Sequence, residues 1–418
     1  MTLRRGAEQP GQLCSGPGSI SLSEKGEIQF KMYASVPRAD QDGLFRLSGK
    51  AGRIVDQSEL WTLSAVDTQG RTWFSRPMFP RSEKPSAGDI LVVTGTLDEL
   101  AHKVEYADYQ YRLVEPTLRF AFPDGFDFPC NAATEATTSI AGSEAHRSVL
   151  HNVARFEACG YDFTMRRTTE NGLLLDVQAR DGGLHPGLDV RIAEALQFAF
   201  GRRFEWRLLE RHEGSDCHTY TIRPAARREI PSNARSPLRY DVFRGRDYVY
   251  SLFSAYLAFI LPHPGRDWHP LSAIVHSMIS AGEAPVDAQA LSLSVAAEAI
   301  SLQLFKDTAP RDEQFLEDLA STQRALAELG LQDRSLCRIH GSLGSMRRTT
   351  ATHVLQVLQG KGVIEKRHVN AWKKLRNAYV HPERPFAIPL QELVDLSDAV
   401  AVLCHHLVFQ AIGYRGKY

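Results

Sequence analysis

Hydrophobic and polar positions along the first third of the chain alternate in short runs. Each run carries β-branched or aromatic residues, and clusters of Gly, Asp and Pro separate one run from the next. Such runs are typical of strands with one buried face. The pattern predicts an antiparallel β-domain over residues 19–122, with a sandwich or barrel-like form. The runs are GEIQFKMYASV, GLFRLSGK, WTLSAVDTQGRTWFS, GDILVVTGTL and VEYADYQYRLV.

The regions on either side of this domain have different patterns. Residues 1–18 are rich in Gly, Pro and Ser, and we expect them to be disordered. A Pro-, Asn- and Thr-rich stretch at 123–139 is typical of a linker. Strand-like runs then surround LDVRIAEALQFAFG, an amphipathic helix that ends at Gly201. Residues 140–262 are therefore predicted to be a mixed α/β extension of the N-terminal region.

From residue 285 onward the period changes to that of helices, with apolar residues at three- and four-residue steps. Several amphipathic helices without strands between them predict an all-α bundle over 285–418. The fold class expected for the whole chain is thus α+β and multidomain. The helices are predicted at about 287–306, 310–329, 350–359, 365–381 and 389–412.

Global charge does not indicate a partner, because 49 Lys and Arg residues balance 49 Asp and Glu residues. Local charge does, since residues 334–384 hold eleven Lys and Arg residues against two Glu residues. Such an excess favours binding of a polyanion. The segment HGSLGSMRRTT (340–350) is interpreted as a flexible loop that either clamps a nucleic-acid backbone or is simply solvated. The candidate RNA-binding residues are Arg338, Arg347, Arg348, Lys373 and Lys374.

No metal site and no cofactor is predicted. The six cysteines lack CxxC spacing, which argues against a zinc ribbon, and their scatter suits a reducing cytosol. Cys217 and His218 near His212 are the one place where a metal could be argued, but their spacing fits no standard site. The most apolar stretch, 248–261, is shorter than the roughly 20 residues that span a bilayer. A soluble, cytoplasmic protein without membrane contact is expected.

The predicted helix at 365–381 reads EKRHVNAWKKLRNAYVH. Arg376 and Asn377 follow its apolar positions, and His381 stands before Pro382, which disfavours helical geometry at the residue before it. Five residues of regular helix rise by about 7.5 Å and rotate by roughly 140°, but a long Arg side chain and a frayed last turn could still bring both groups onto one phosphate. The apolar positions that we expect to anchor the helix are Val369, Trp372, Leu375 and Tyr379.

The run Arg376-Asn377-Ala378-Tyr379-Val380-His381 resembles the R-x4–6-H motif of HEPN domains, including the Asn after the Arg. A β-rich region followed by a helical module also resembles the layout of ApeA-like HEPN proteins of bacterial antiphage defence. The resemblance implies a metal-independent endoribonuclease that uses the ribose 2′-OH, works as a homodimer and answers a phage-derived trigger. A toxin or abortive-infection role is implied in the same way.

The resemblance also implies roles for individual residues. His381 would exchange a proton as general acid or base, and Arg376 would hold the scissile phosphate. Asn377 would orient His381 or the phosphate. Glu298, in the first bundle helix, either pairs with Arg376, helps to position His381 or lies on an exposed face. A helix-end Arg and His can also be merely a solvated face or a partner of the helix dipole.

Two further functions stay open at this point. The helical module is alternatively a non-catalytic RNA- or protein-binding scaffold. A third hypothesis makes the β-domain a ligand- or carbohydrate-binding unit and the helical part an adaptor. No catalytic acid pair stands out in the β-domain, which disfavours glycosidase chemistry.

Overall fold

The computed structural model describes most of the chain, and the chain divides into two compact units. The described residues are 1–6, 13–36, 56–83, 89–105, 115–123, 125–140, 143–168, 172–214, 217–224, 236–310, 312–328, 333–379 and 388–416. The first unit comprises Met1–Asp189, Phe204–Glu229 and Tyr240–Arg246. The second comprises Val190–Arg203, Ile230–Arg239 and Asp247–Tyr418.

The first unit is built from antiparallel strands. In chain order they are β1 (Thr2–Arg5), β2 (Leu13–Ser15), β3 (Gly18–Leu22), β4 (Ile28–Ser35), β5 (Trp61–Val66), β6 (Thr72–Ser75), β7 (Arg81–Glu83), β8 (Ile90–Leu97), β9 (Leu100–Glu105), β10 (Thr117–Phe122), β11 (Ala132–Ile140), β12 (Ser143–Ala158), β13 (Tyr161–Arg167), β14 (Leu173–Ala179), β15 (Leu208–His212) and β16 (Cys217–Ile222).

These strands form two sheets. The larger has the order β11-β12-β13-β14-β10-β15-β16-β9-β6-β5-β1-β2, and the smaller has the order β3-β4-β8-β7. Residues of β4 alternate strictly between buried and exposed, as a half-buried strand requires. Phe30 and Met32 of β4 join Leu3 of β1 and Leu63 of β5 in one apolar cluster. The two sheets therefore share a core, which is why the alternation predicted this part of the fold.

The expectation of a disordered N-terminus is wrong for the residues that the structure describes. Thr2–Arg5 pairs with both β2 and β5. Leu3 and Cys14 are buried in the core between the sheets, and this burial favours order over the high Gly and Pro content. The linker predicted at 123–139 is also corrected in part, because β11 extends over Ala132–Ile140 and pairs with β12.

The second unit is helical. Its helices are α1 (Leu188–Phe200, of which the first two residues fall in the first unit), α2 (Arg246–Ile260), α3 (Pro270–Ala281), α4 (Val286–Phe305), α5 (Glu313–Glu328), α6 (Asp333–Met346), α7 (Ala351–Gly360), α8 (Lys366–Tyr379) and α9 (Leu390–Ala411). The coarse α+β class and the helical C-terminal region are confirmed. Helices predicted from periodicity agree with α4, α5, α7, α8 and α9 to within a few residues.

Helix α1 was predicted correctly, and Gly201 follows it with a left-handed φ of +62°. Its place in the fold differs from the predicted boundary at 262, because it belongs to the helical unit. Arg191 and Glu194 of α1 form a buried ion pair at 2.9 Å, and Glu194 also accepts hydrogen bonds from the backbone NH of His269 and the hydroxyl of Ser272. These contacts bind α1 to α3. Neither α3 nor this grouping was predicted from the sequence.

The loop predicted over 340–350 is corrected too, because α6 continues to Met346. Leu336, Ile339 and Leu343 recur at three- and four-residue steps, and this apolar spacing favours a helix over the Gly-rich composition.

Helix α4 lies at the centre of the bundle and packs against α3, α7, α8 and α9. Among the described residues, the segment Val286–Thr308 is the one helix long and apolar enough to cross a membrane, with 44% of its most apolar window buried. Buried Ser294 and Ser301 and half-buried Glu298 lie on it. These features suit the core helix of a bundle, so the segment is weak evidence for a membrane span.

Candidate active site

The candidate site is formed by α8 on the surface of α4. The apolar face predicted for α8 is largely confirmed, since Val369, Trp372 and Leu375 are buried. His368 and Ala371 are buried as well, which widens that face. The remaining face of α8 is polar and carries the residues that the sequence singled out. Burial of the apolar face fixes the rotation of the helix and hence the direction of those side chains.

Arg376 is held by an acidic residue of the neighbouring helix. Its Nε donates a 2.9 Å hydrogen bond to Oε2 of Glu298 on α4. Of the interpretations left open for Glu298, the structure therefore shows the pairing with Arg376. The two side chains are 28% and 34% exposed, so the pair lies at the surface of the bundle and not in its core.

The indole of Trp372 supports the same guanidinium. The Arg376 Cζ atom lies 5.8 Å from the ring centroid of Trp372, within the range of a cation–π interaction. Trp372 is itself fixed, because its Nε1 donates a 3.0 Å hydrogen bond to the backbone carbonyl of Ser294. A carboxylate and an aromatic ring thus restrict the guanidinium from two sides. This arrangement leaves it in a defined position at reduced entropic cost for ligand binding.

Tyr379, at the last turn of α8, makes a third contact with α4. Its hydroxyl donates a 2.6 Å hydrogen bond to Oδ1 of Asp287. Burial and this carboxylate raise the pKa of Tyr379 to about 12, so the hydroxyl stays protonated at neutral pH. The sequence indicated Tyr379 only as an apolar anchor and did not indicate Asp287. The helix dipole alone already favours an Asp in the first turn of α4. Nothing in the sequence therefore pointed to its hydrogen bond with Tyr379.

The other residues predicted for the site have different positions. Asn377 is exposed on α8, beside Arg376 in sequence. Lys373 is half-buried, whereas Lys374 is exposed and forms an ion pair with Glu392 of α9. His381 lies outside the described residues, which end at Tyr379 in this part of the chain.

The predicted basic residues of the 334–350 segment lie on another helix. Arg338 is exposed on α6, and Arg347 and Arg348 are exposed just after its end. The described part of α6 packs on α5. The structure therefore brings Arg376 and Glu298 together and places the candidate RNA-binding residues on α8 and on or just after α6.

The site offers one fixed guanidinium at a protein surface with several further cations nearby in the sequence. A guanidinium carries five N–H donors in a planar fork and suits a phosphate group. Comparison of the whole chain with known proteins returned no matching family model, no matching curated protein and no matching solved structure.

Proposed function

We propose that the chain is a metal-independent endoribonuclease of the HEPN class, with Arg376 and His381 as its catalytic pair. The observation that carries this proposal is the fixed position of Arg376 on a core-anchored helix, between the carboxylate of Glu298 and the ring of Trp372. His381 follows two residues after the end of α8 and completes the R-x4-H spacing.

The reaction uses the RNA's own ribose. The 2′-hydroxyl loses its proton to a general base as its oxygen attacks the adjacent phosphorus, and the bond from phosphorus to the 5′-oxygen breaks. The leaving 5′-oxygen takes up a proton from a general acid, and a 2′,3′-cyclic phosphate remains. An imidazole, with an ordinary pKa near 6.5, serves either proton transfer near neutral pH. We assign one of these two proton transfers to His381.

Arg376 acts on the phosphate. Negative charge grows on its non-bridging oxygens as the 2′-oxygen attacks, and charge-assisted hydrogen bonds from a guanidinium stabilise that charge. Glu298 and Trp372 are positioning residues, because they hold the guanidinium without touching the substrate. Asn377, the next residue, orients the phosphate or His381. The exposed basic residues Arg338, Arg347 and Arg348 extend the phosphate-binding surface along the RNA.

The proposal includes a homodimer. Leu291 and Val295 of α4 are 40% and 52% exposed, and a helical period places both on the same face as Glu298. An exposed apolar stripe on the helix that holds Arg376 suits a surface that a second copy covers, so that two R-x4-H motifs share one cleft. Light scattering of the purified chain should give twice the chain mass, and Val295→Asp should give the mass of one chain.

The decisive experiment measures cleavage of a fluorescently labelled single-stranded RNA by the full-length chain. Arg376→Ala and His381→Ala should each abolish cleavage while circular dichroism shows an unchanged fold. Arg367→Ala is the matched control, because Arg367 is an exposed cation on the same helix, paired only with the neighbouring Glu365 among the contacts described. It should cleave like the wild type. A DNA strand of the same sequence should resist cleavage, since it lacks the 2′-OH.

Unchanged cleavage in either catalytic variant would overturn the assignment. RNA retention in a salt-sensitive gel shift, without product bands from the wild type, would instead favour the non-catalytic binding module. In cells, we propose that the nuclease acts in the cytoplasm in antiphage defence or as a toxin, and that the β-rich unit senses a phage-derived trigger or restrains the nuclease. The same two variants should then lose host toxicity.

A further inference from the structure

The hairpin of β15 and β16 places two histidines directly opposite each other. In the antiparallel register His212 pairs with His218, and Glu210 pairs with Tyr220. Alternate residues of a strand point to the same face, so the side chains of Glu210, His212, His218 and Tyr220 share one face of the larger sheet. Cross-strand neighbours at directly opposed positions lie close enough for their side chains to touch.

Three of these side chains converge. One ligand atom each from Glu210, His212 and His218 lies within 4.8 Å of the other two. The imidazole rings of His212 and His218 are in contact, with centroids 3.4 Å apart. His218 is only 4% exposed, whereas Glu210 and His212 are half-buried, so the cluster has a buried floor and a solvent-facing side.

The side chains around the cluster do not pull Glu210, His212 or His218 out of this arrangement. Arg119 of β10 reaches within 3.9 Å of Glu210, but its shorter contact, 2.5 Å, is with Asp176 of β14. Tyr220 packs on the ring of His218, with centroids 4.0 Å apart, and stacks with the ring of His102 of β9, with centroids 6.5 Å apart. The Nδ1 atom of His102 is engaged with the backbone carbonyl of Thr72 at 2.8 Å.

We propose that Glu210, His212 and His218 bind a divalent transition-metal ion such as Zn²⁺. Two imidazole nitrogens and one carboxylate oxygen are a ligand set that such ions accept, and three protein ligands leave a position for water or a ligand atom. Two donors of a tetrahedral ion stand about 3.4 Å apart, given bonds of about 2.0–2.2 Å. Donors within 4.8 Å of one another need only small side-chain rotations to reach that spacing.

The buried setting of the imidazoles disfavours their protonated forms. Burial, with the neighbouring imidazoles of His212 and His102 adding to it, lowers the pKa of His218 to about 4. Burial also lowers the pKa of His212. The convergence of the three side chains, and not these shifts, carries the proposed site.

Cys217 provides an internal control for the geometry. It precedes His218 in β16, so strand alternation places its side chain on the opposite face of the sheet. Its Sγ lies 3.9 Å from the hydroxyl of Thr219, the next residue on that opposite face. From the sequence, Cys217 and His218 together were the best argument for a metal. The strand alternation places Cys217 and His218 on opposite faces of the sheet, and the register brings Glu210 to the face that carries the two histidines.

The test uses the full-length chain after treatment with a chelator and dialysis. Isothermal titration with Zn²⁺ should show one site per chain, and Co²⁺ should give visible d–d bands of a nitrogen- and oxygen-ligated ion. Glu210→Gln and His212→Gln, at the half-buried positions, should each weaken binding by at least about tenfold, because losing a ligand should cost no less than the roughly 10–100-fold lost with an outer-shell partner. Cys217→Ser and the exposed His151→Ala should bind like the wild type.

Thermal unfolding provides a second readout. Zn²⁺ should raise the melting temperature of the wild type and of Cys217→Ser, but not that of His212→Gln, because an ion bound only by the native state stabilises it. Absence of Co²⁺ bands in the wild type would overturn the proposal, as would equal affinity in Glu210→Gln and wild type or loss of binding in Cys217→Ser. Arg376→Ala should bind Zn²⁺ normally, so this outcome is independent of the nuclease assignment.

Discussion

The Nε of Arg376 donates a 2.9 Å hydrogen bond to Oε2 of Glu298, across the contact between α8 and α4. The two residues are 78 positions apart in sequence. Both remain partly exposed, so solvent screens their attraction and the pair adds little to stability. Under the proposed function its importance lies in orientation, because it holds a long, flexible side chain in one position for a phosphate.

Removal of Glu298 should therefore affect activity more than folding. We expect Glu298→Gln to change the free energy of unfolding by about 1 kcal/mol or less. RNA cleavage should fall by about tenfold or more, since a misplaced catalytic group is costly. Denaturant unfolding and initial cleavage rates measure the two effects. Glu392→Gln is the matched control, because it breaks the exposed ion pair with Lys374 and should leave the rate unchanged. Equal rates in Glu298→Gln and wild type would remove Glu298 from the site.

The indole of Trp372 should contribute to stability as well as to the site. Trp372→Phe removes the buried hydrogen bond to the Ser294 carbonyl and part of the ring volume. We expect a loss of about 1–3 kcal/mol in the free energy of unfolding. Trp268→Phe, at a position 40% exposed, should change it by less than about 0.5 kcal/mol. Similar losses in the two variants would contradict the packing of α8 described above.

Two glycines inside α6 give a direct test of that helix. A Cβ at Gly341 or Gly344 would meet no atom within 4 Å. Alanine should therefore stabilise the chain by about 0.5–1 kcal/mol at each position, because glycine loses more backbone entropy in a helix. Gly362→Ala is the control and should destabilise the chain, since Gly362 has a φ of +72° that strains any residue with a Cβ. If Gly341→Ala and Gly344→Ala lower the melting temperature, the segment is not helical.

Stability at mild acid should depend on His269, which caps α3. Its Nδ1 accepts a hydrogen bond from the backbone NH of Leu271. Burial, with the charges of His263 and Arg191 adding to it, lowers the pKa of His269 to about 4. The unfolded chain takes up this proton below an ordinary pKa near 6.5 and the folded chain resists it. The free energy of unfolding therefore falls between about pH 6.5 and pH 4.

The substitution His269→Asn isolates this contribution. Asparagine keeps an acceptor for the cap but does not titrate, so the variant should lose less stability between pH 7 and pH 4.5 than the wild type does. Denaturant unfolding at the two pH values measures the difference. His151→Asn, at an exposed position of β12, should behave like the wild type. A pH dependence unchanged by His269→Asn would show that the imidazole is not the titrating group.

Local periodicity accounts for what the sequence predicted well. The helices around Trp372 and the strand carrying Phe30 and Met32 have apolar faces that recur with the correct period, and burial of those faces decides the structure. The pairing of Glu298 with Arg376 could be raised only as one of several possibilities, because the position of a charged residue along a helix does not identify the residue that packs beside it.

Tertiary context accounts for what was missed. The glycine content of residues 340–350 predicted a loop, but the apolar residues of α6 recur with a helical period and the helix continues to Met346. The grouping of α1 with the helical unit depends on the buried Arg191–Glu194 pair and its contact with Ser272, 78 residues away from Glu194. The convergence of Glu210 with two histidines depends on the register of a hairpin, which alternation alone does not determine.

Three side chains of α8, Trp372, Arg376 and Tyr379, all find polar partners on the single helix α4. Leu291 and Val295 face solvent on the outward side of α4. A partner that binds this side would act on the helix to which all three side chains are hydrogen-bonded. A displacement of that one helix would therefore shift the guanidinium, the indole and the phenol together. Under the proposed function, subunit association and alignment of Arg376 would therefore depend on the same helix, and a change that moves α4 would alter both.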